Sequence, residues 1–258
     1  MINGIDVSEH QGNIDWKKVA ASGVRYAGIR CTRDGHSRKD VQFERNYDGA
    51  RENGVLPFPY LVLRFHLDAD GHVEFFIDSL GGRKTWMNIM DVEVVGGAGK
   101  TERGKVLHYT MAGLENQTHA MSTIYTNKNF WDTYMPSRFL REFDNHVLWV
   151  ASYGRNDGKV PPHPPYPTLP KIWRESGAWQ YTDRGRVDGI NANVDLDLME
   201  DELYFNLRAR SGIPEPGGTQ PPEPPEPPEP PDTGLELRVN AIEREVANIK
   251  NWGWSFPT

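Results

Sequence analysis

The sequence predicts an α/β protein, an irregular (β/α)8-type barrel with some helices missing, followed by a Pro-rich linker and a short C-terminal helix. The barrel is predicted because eight short apolar runs alternate with segments of helical periodicity. Strand-helix alternation favours a parallel sheet, and eight such units favour closure into a barrel. The eight runs are GIDVS, YAGIRC, PFPYLVL, NIMDVEV, STIYTN, VLWVASY, GAWQYT and VDLDL.

Helical periodicity is clear in the segments between these runs. In one of them Val73, Phe76 and Leu80 fall on one face, and Gly81 follows at the position where a left-handed cap ends a helix. The stretch 152–171 is too rich in proline for a helix, so we expect a loop to replace one barrel helix there. The predicted helices cover residues 15–23, 40–54, 69–81, 102–115, 129–143 and 198–210.

The composition divides the chain into three parts. Residues 1–212 form the predicted barrel, and residues 213–234 form a Pro/Glu-rich linker whose Pro-Pro-Glu repeats favour extended polyproline II. Residues 235–258 form a short heptad-patterned helix with an aromatic tail, and such a short helix needs a partner. We therefore consider a homo-oligomer through residues 235–250, with docking on another protein or on the cell wall, and disorder, as the alternatives. The apolar seam consists of Leu235, Val239, Ile242, Val246 and Ile249.

Charge and composition restrict the partners. The net charge of −7 argues against nucleic acid, which requires a basic surface. No apolar stretch is long enough to cross a membrane, so we expect no membrane insertion. The single cysteine, Cys31, cannot form an internal disulfide. The histidines are scattered without metal-ligand spacing, so we predict neither a metal nor a cofactor.

Two carboxylates, Asp91 and Glu93, lie one residue apart at the end of the apolar run WMNIMDVEV. In an extended strand they share one face, and two carboxyl groups close together cannot both ionise freely. One of them then tends to keep its proton near neutral pH, as a general acid must, and paired acids are typical of glycoside hydrolysis. The alternative is a pair of exposed acids on an antiparallel strand.

Other predicted strand ends also carry acids. Asp6 lies in the first run, and Asp195 and Asp197 lie in the eighth. The first and last strands of a closed barrel are neighbours, so these acids should face one cleft together with the acids of the fourth run. Burying unpaired carboxylates is costly, which argues for a functional reason. For Asp197 we prefer a structural role, as the N-cap of the last helix.

Aromatic side chains near the predicted strand ends suit a sugar-binding cleft. Their faces stack on the apolar faces of sugar rings while their polar tips bind hydroxyl groups. Packing in the core is the alternative explanation for each of them. The aromatic residues are Tyr60, Tyr125, Trp149, Tyr153 and Trp179.

Several strings of the sequence resemble glycoside hydrolase family 25, the muramidases of bacteria and bacteriophages. They are GIDVSEHQG, MDVEV, IYTN with the following Phe130-Trp131, LWVASY, and WQYTDRGRVDGINANVDLD. They occur in the family's order and cover nearly all of residues 3–205. The resemblance implies an irregular barrel that cleaves the β-1,4 bond between N-acetylmuramic acid and N-acetylglucosamine in bacterial peptidoglycan.

The resemblance also implies catalytic roles. Glu93 matches the general acid, and Asp91 matches the residue that stabilises positive charge at the anomeric centre or holds the acetamido group of the substrate. Asp6 and Asp195 would set the pKa of this pair and orient water or substrate. The predicted substrate contacts are Tyr60, Tyr125, Trp149 and Gln180.

The third strand departs from the family's pattern. The family often has Tyr-His-Phe-Ala-Arg, whereas this chain has the tyrosine at Tyr60 and a leucine, Leu61, in place of the histidine. We therefore expect different subsite contacts near Leu61, with the catalytic acids unaffected.

The biological setting is predicted from the whole chain. The first residues, MINGIDVS, do not have the pattern of a signal peptide. We therefore expect a phage endolysin that stays in the host cytoplasm before release and then acts on the cell wall. The alternatives are a virion-associated structural protein that carries a lysozyme domain, and an inactive sugar-binding module.

Overall fold

A computed structural model of the chain describes residues 1–136, 140–163 and 165–217. Most of the predicted linker, the predicted C-terminal helix and its apolar seam lie outside the described residues. No helix of the described part is long and apolar enough to span a bilayer.

Eight strands close into one barrel in the order of the sequence, and each predicted run is confirmed as a strand. They are β1 (Ile2–Val7), β2 (Tyr26–Thr32), β3 (Leu56–Val62), β4 (Met87–Asp91), β5 (Met121–Asn127), β6 (Val147–Ala151), β7 (Ala178–Gly185) and β8 (Val194–Met199).

The direction of the last strand differs from the prediction. Neighbouring strands from β1 to β7 run parallel, but β8 is antiparallel to both β7 and β1. The expectation of an all-parallel sheet was therefore wrong for β8. The connection is the cause, because only residues 186–193 separate the two strands, whereas a parallel crossover needs about a dozen residues or more. As a result, the start of β8 lies at the rim where the strands β1 to β7 end.

Seven α-helices are present in the described part of the chain. They are α1 (Trp16–Ala21), α2 (Phe43–Glu52), α3 (Ala69–Leu80), α4 (Lys100–Thr118), α5 (Lys128–Tyr134), α6 (Leu140–Phe143) and α7 (Asp201–Ser211), with a short 3-10 helix at Glu9–Gln11.

All six predicted helices are found, with bounds that differ by one or more residues, and two of the differences have a clear cause. The helix predicted over 129–143 is divided into α5 and α6, because Met135 precedes a proline and is extended, with φ −84° and ψ 155°. The last helix begins at Asp201 rather than near residue 198, because β8 continues to Met199. The predicted loop between β6 and β7 is confirmed, since the described residues there contain no helix. The described chain also has none between β7 and β8.

The apolar core has two parts. One part lies between the outer face of the barrel and the surrounding helices, and it includes Ile29 and Leu61. The other fills the lower half of the barrel, which is the half farther from the rim where β8 begins. It consists of large side chains, among them Tyr26, Phe58 and Trp149. The interior core therefore forms a floor, and the opposite half of the barrel interior is left for polar side chains.

The end of the barrel opposite the β8 start is closed by a buried arginine. The guanidinium of Arg208 on α7 donates hydrogen bonds to the carbonyl oxygens of Gly54, at 2.7 Å, and Arg25, at 3.0 Å. It also lies 3.4 Å from the Glu215 carboxylate and bonds the carbonyl of Pro214 at 3.3 Å. These bonds satisfy a buried cation and attach the segment after α7 to the barrel.

Gly4 on β1 makes room for the interior core. A Cβ atom at Gly4 would lie only 2.1 Å from the ring of the fully buried Tyr26. We expect Gly4→Ala to lower the free energy of unfolding by about 1–3 kcal/mol, because the fully buried ring must shift within a close-packed core. Gly97→Ala is the control, since no atom lies within 4 Å of the corresponding Cβ. Urea denaturation of both variants measures the effect, and equal stability of the two would contradict this account of the core.

Candidate active site

A cavity of about 310 Å³ opens at the rim where β1 to β7 end and β8 begins. It is lined by all eight residues that the sequence predicts as site residues. The four acids come from three strand regions, at the end of β1, at and after the end of β4, and at the start of β8. The acids are Asp6, Asp91, Glu93 and Asp195, and the predicted substrate contacts are Tyr60, Tyr125, Trp149 and Gln180.

Asp91 and Glu93 differ in depth. Asp91 is the last residue of β4 and is half-buried, whereas Glu93 lies at the exposed mouth of the cavity. The Asn127 amide contacts the Glu93 carboxylate at 3.5 Å. Burial, and then repulsion from Glu93 and Asp6, raise the pKa of Asp91 well above its usual range. Loss of water in the cleft also raises the pKa of Glu93, against the opposing effect of Asn127 and Asp91. The pair therefore tends to hold a proton.

A second group of carboxyls lies across the cavity. Asp6 and Asp195 face each other in the antiparallel register of β1 and β8, and Asp197 is one inward position deeper. Burial, and then the charge of Asp6, raise the pKa of Asp195 to about 9. Burial likewise raises the pKa of Asp197 and of Asp6, and for Asp6 hydrogen bonds from Gln180 and the two neighbouring acids oppose it. Such a cluster is stable only when its members share protons.

The role predicted for Asp197 was wrong. The N-cap position of α7 is occupied by Glu200, whose side chain makes no cap hydrogen bond. Asp197 is 1% exposed, and the indole nitrogen of Trp149 donates a hydrogen bond of 2.9 Å to its carboxylate. Strand alternation explains the placement, because Asp195 and Asp197 are two residues apart and share the inward face of β8. The pattern VDLDL contained this signal.

Gln180 on β7 holds Asp6 in a fixed orientation. Its amide nitrogen donates a hydrogen bond of 2.6 Å to a carboxylate oxygen of Asp6. Its amide oxygen accepts hydrogen bonds from the hydroxyls of Tyr125, at 2.8 Å, and of Tyr153. The two tyrosines therefore fix which end of the amide faces Asp6.

Four of the five aromatic residues that we considered for sugar binding line the cavity. Trp179 does not, so the expectation for it was wrong. Its neighbour Gln180 faces inward, and alternation along the strand turns Trp179 outward, where its indole nitrogen donates to the Ser152 carbonyl at 2.8 Å. Trp149 is 1% exposed and forms the floor of the cavity, whereas Tyr60 and Tyr153 are half-buried and form its walls.

Arg30 on β2 is a site residue that the sequence analysis missed. It lines the cavity, donates a hydrogen bond of 2.6 Å to Asp40 and lies 3.4 Å from the Glu9 carboxylate. Its positive charge lowers the pKa of Asp91 and so opposes the effect of burial. Alternation from Tyr26 along β2 places Arg30 on the inward face, and this could have been inferred from YAGIRC.

Gly28, on the same face of β2, brings the floor and the acids together. A Cβ atom there would lie 3.0 Å from the Cβ of Asp6 and 3.4 Å from the Trp149 ring. A larger side chain at position 28 would therefore push Asp6 away from Trp149, the residue that donates a hydrogen bond to Asp197. The other missed lining residues are Ser8, His10, Gln11 and Ile89.

The departure in the third strand lies outside the cavity. Leu61 is fully buried in the outer core, whereas its neighbour Tyr60 lines the cavity. The expectation of changed subsite contacts at Leu61 therefore has no counterpart among the lining residues of the acid cavity. In the described part of the chain, no group of three or more His, Cys, Asp and Glu residues is arranged to hold a metal ion.

Comparisons with known proteins identify the family of this chain. The sequence profile of "Glycosyl hydrolases family 25" matches residues 5–190. The uncharacterized protein YegX of Escherichia coli O157:H7 is 31% identical over 215 residues, which cover 78% of this chain and 72% of YegX. The bacterial lysozyme from Streptomyces coelicolor has a TM-score of 0.68 at 26% identity, over 77% of this chain and 92% of that one.

A phage protein shares the fold as well. The catalytic domain of endolysin ply40, from bacteriophage P40 of Listeria monocytogenes, has a TM-score of 0.68 at 21% identity, over 80% of this chain and 97% of that one. The profile match covers most of the chain and includes Asp6 and the Asp91/Glu93 pair. The chain therefore belongs to glycosyl hydrolases family 25 and is a glycoside hydrolase of the lysozyme type.

Proposed function

We propose that the protein is an N-acetylmuramidase that cleaves the β-1,4 bond between N-acetylmuramic acid and N-acetylglucosamine in peptidoglycan by carboxylate acid/base catalysis. One observation carries the proposal: Asp91 and Glu93 share a cavity with Asp6 and Asp195, and burial raises the pKa of each. The likeness to the Streptomyces coelicolor lysozyme supports the same chemistry.

Glu93 is the general acid in this proposal. Its position at the mouth lets it reach a glycosidic oxygen, and its raised pKa keeps it protonated nearer to neutral pH than a free glutamate. Proton transfer to the leaving oxygen lets the bond to the anomeric carbon break. Its side chain is exposed, and its polar contacts are the long one with Asn127, at 3.5 Å, and one with its partner Asp91, so little holds it away from substrate.

Asp91 acts on the sugar whose anomeric carbon loses the bond. Its carboxylate lies deeper than Glu93, and its buried Oδ1 accepts no hydrogen bond from the described residues. When the proton that the pair shares is on Glu93, Asp91 is ionised and can face the positive charge that develops on the sugar, or hold the acetamido group while that group attacks. Both roles need the same placement beneath the sugar ring.

Asp6 and Asp195 orient water or substrate on the opposite side. Gln180 acts through Asp6, because its amide is already bonded to Tyr125, Tyr153 and Asp6. We therefore treat Gln180 as a positioning residue. Trp149 likewise positions Asp197 through the hydrogen bond from its indole nitrogen. The exposed parts of Tyr60 and Tyr153 remain available to contact the sugar ring.

Removal of the proton donor tests the central role. We expect Glu93→Gln to lower kcat by about 100-fold or more with a small change in KM, because an amide cannot donate the proton but fills the same space. The measurement is the release of muramic-acid reducing ends and the masses of the products from purified peptidoglycan. Glu102→Gln is the matched control, since Glu102 is an exposed glutamate in the first turn of α4.

The outcome also separates the enzyme from the inactive alternative. Equal rates for Glu93→Gln and the wild type would contradict the assignment of the acid. A wild-type protein that binds several wall types and releases nothing from any of them would support the sugar-binding module instead.

The acid cluster should reduce the stability of the folded protein. The pKa of Asp195 is raised from its ordinary value of 3.8 to about 9. The folded state thus binds more protons than the unfolded state between these values, so stability falls as pH rises through this window. We expect Asp195→Asn to raise the free energy of unfolding at pH 7 by at least about 1 kcal/mol and to lower activity.

The expected stabilisation depends on pH. It should shrink as the pH falls and be largely lost near about pH 3, below the ordinary pKa of 3.8, where Asp195 is mostly protonated in both the folded and the unfolded state. Urea denaturation at the two pH values measures it, with the exposed Asp144→Asn as the control. If the free energy of unfolding has the same pH dependence in the wild type and in Asp195→Asn, the acid cluster is not what lowers the stability.

We further propose that the protein is a phage endolysin that stays in the host cytoplasm until the membrane opens and then acts on the cell wall. The shared fold of the Listeria phage endolysin domain supports this setting. The alternative is a virion-associated protein that carries the lysozyme domain on a stalk and forms a homo-oligomer through residues 235–250. The Pro-Pro-Glu spacer and the heptad seam suit that alternative.

Two measurements separate these two settings. The virion-associated alternative requires the full chain to form an oligomer in light scattering, and a chain that ends at Gly217 to be monomeric while keeping the bonds from Arg208 to Pro214 and Glu215. If the full chain and the truncated chain form particles with the same number of chains, oligomer formation through the seam is excluded. An endolysin should be found by mass spectrometry in lysates and be absent from purified particles.

A further inference from the structure

Thr126 on β5 contacts the backbone between the two acids from the outer face of the barrel. Tyr125 lines the cavity, so alternation along the strand turns Thr126 outward, where it is fully buried. Its hydroxyl donates a hydrogen bond of 2.8 Å to the carbonyl oxygen of Val92, the residue between Asp91 and Glu93. A side chain outside the cavity therefore holds the peptide unit that leads to the proposed general acid.

This hydrogen bond lies at the point where the chain leaves the sheet. Asp91 is the last residue of β4 in register with β5, and the backbone nitrogen of Val92 donates one more hydrogen bond, of 2.9 Å, to the carbonyl of Tyr125. Beyond Val92, the backbone of Glu93 makes no hydrogen bond with any described residue. The carbonyl of Val92 is therefore the last fixed point of the backbone before Glu93.

The surroundings of this carbonyl offer no solvent that could replace the bond. Val92 and Thr126 are both fully buried, and Val92 packs in the outer apolar core. A buried carbonyl without a partner costs more free energy than the hydrogen bond itself contributes, so the backbone would turn to reach another donor. Such a turn would change the direction in which Glu93 leaves the strand, and with it the separation of its carboxyl group from that of Asp91.

We propose that Thr126 is a positioning residue for the reaction, whose hydroxyl fixes the peptide after Val92 and so holds the carboxyl group of Glu93 in its catalytic position relative to Asp91. This inference rests on the proposed function, because it assigns the proton transfer to Glu93. Threonine suits the task, since branching at Cβ restricts its χ1 angle and keeps the direction of the hydroxyl at a small cost in entropy.

Three consecutive residues at the end of β5 then have separate tasks. The hydroxyl of Tyr125 donates a hydrogen bond of 2.8 Å to Gln180 inside the cavity, and the amide of Asn127 contacts the Glu93 carboxylate at 3.5 Å. Thr126, which lies between them, holds the backbone of the neighbouring strand instead. The end of one strand thus acts on both sides of the sheet, and the task of Thr126 can be tested without changing a cavity residue.

Loss of the hydroxyl at nearly constant volume tests the proposal. We expect Thr126→Val to lower kcat on purified peptidoglycan by about five- to a hundredfold with KM nearly unchanged, because a displacement of about 1 Å in the catalytic geometry costs about 100-fold. Thr126→Ser keeps the hydroxyl and should restore most of the rate. If Thr126→Val does not fold, Thr126→Ala removes the same hydrogen bond and has the same expected result.

Thr85 provides the matched control at the opposite end of the same strand. Its buried hydroxyl donates a hydrogen bond of 2.9 Å to the carbonyl of Met87, the first residue of β4. Thr85→Val therefore removes the same kind of bond from the same strand, far from the acids. We expect Thr85→Val and Thr126→Val to lower the midpoint of urea denaturation by similar amounts, and Thr85→Val to keep the wild-type kcat.

A titration of Glu93 gives a second measure, which does not depend on turnover. Burial is the largest cause that raises the pKa of Glu93, the charge of Asp6 acts in the same direction, and hydrogen bonds with Asn127 and Asp91 oppose it. A carboxyl group that turns towards solvent loses part of this burial, so the pKa should fall in Thr126→Val and recover in Thr126→Ser. The carboxyl carbon signal of Glu93, followed by NMR as the pH is changed, measures this pKa.

The outcomes distinguish the positioning role from the proposed function. An unchanged kcat together with an unchanged pKa of Glu93 in Thr126→Val would overturn the positioning role, and so would an equal loss of kcat in Thr85→Val. If Glu93→Gln keeps the wild-type activity, the proposed function fails instead. A lowered pKa of Glu93 in Thr126→Val would then still support the claim that the hydroxyl positions this side chain.

Discussion

The crowding of buried carboxyl groups around one cavity is the constraint on which the rest of the site depends. Asp6, Asp195 and Asp197 meet on one side and Asp91 and Glu93 on the other, and burial is the largest cause of the raised pKa of each. No arrangement of the barrel removes this cost, because unpaired acids are poorly solvated there. The surrounding residues instead hold the acids in place and let protons be shared among them.

The lower half of the barrel provides the rigidity that this arrangement needs. Tyr26 and Trp149 meet edge to face, with ring centroids 5.7 Å apart, directly beneath the acids. The absence of side chains at Gly4 and Gly28 lets these rings and Asp6 pack closely. Because the Trp149 indole also bonds Asp197, the apolar floor and the polar site are joined by one side chain. A displacement of the apolar floor would therefore also displace the acids.

Local patterns predicted most of the fold and of the site. Short apolar runs indicated every strand, and strand ends indicated the four acids, while period-two alternation showed which of them share a face. Aromatic residues near strand ends and the family resemblance indicated the four contacts that share the cavity. Arg30 and Asp197 lay on inward faces that the same alternation could have identified. In contrast, the hydrogen bonds of Gln180 to Asp6 and Tyr125 join residues far apart in sequence, and no local pattern reports them. The depth of Trp149 likewise depends on packing against other strands.

The irregular end of the barrel is what completes the acid site. In the antiparallel register Asp6 pairs with Asp195, and Gly4 pairs with Asp197. A parallel β8 would have brought its other end, at Met199, to the mouth and carried Asp195 towards the opposite end of the barrel. The short connection over 186–193 excludes that arrangement, since it cannot hold a crossover. The same short segment that breaks the alternation of strands and helices therefore places the last acid opposite the first.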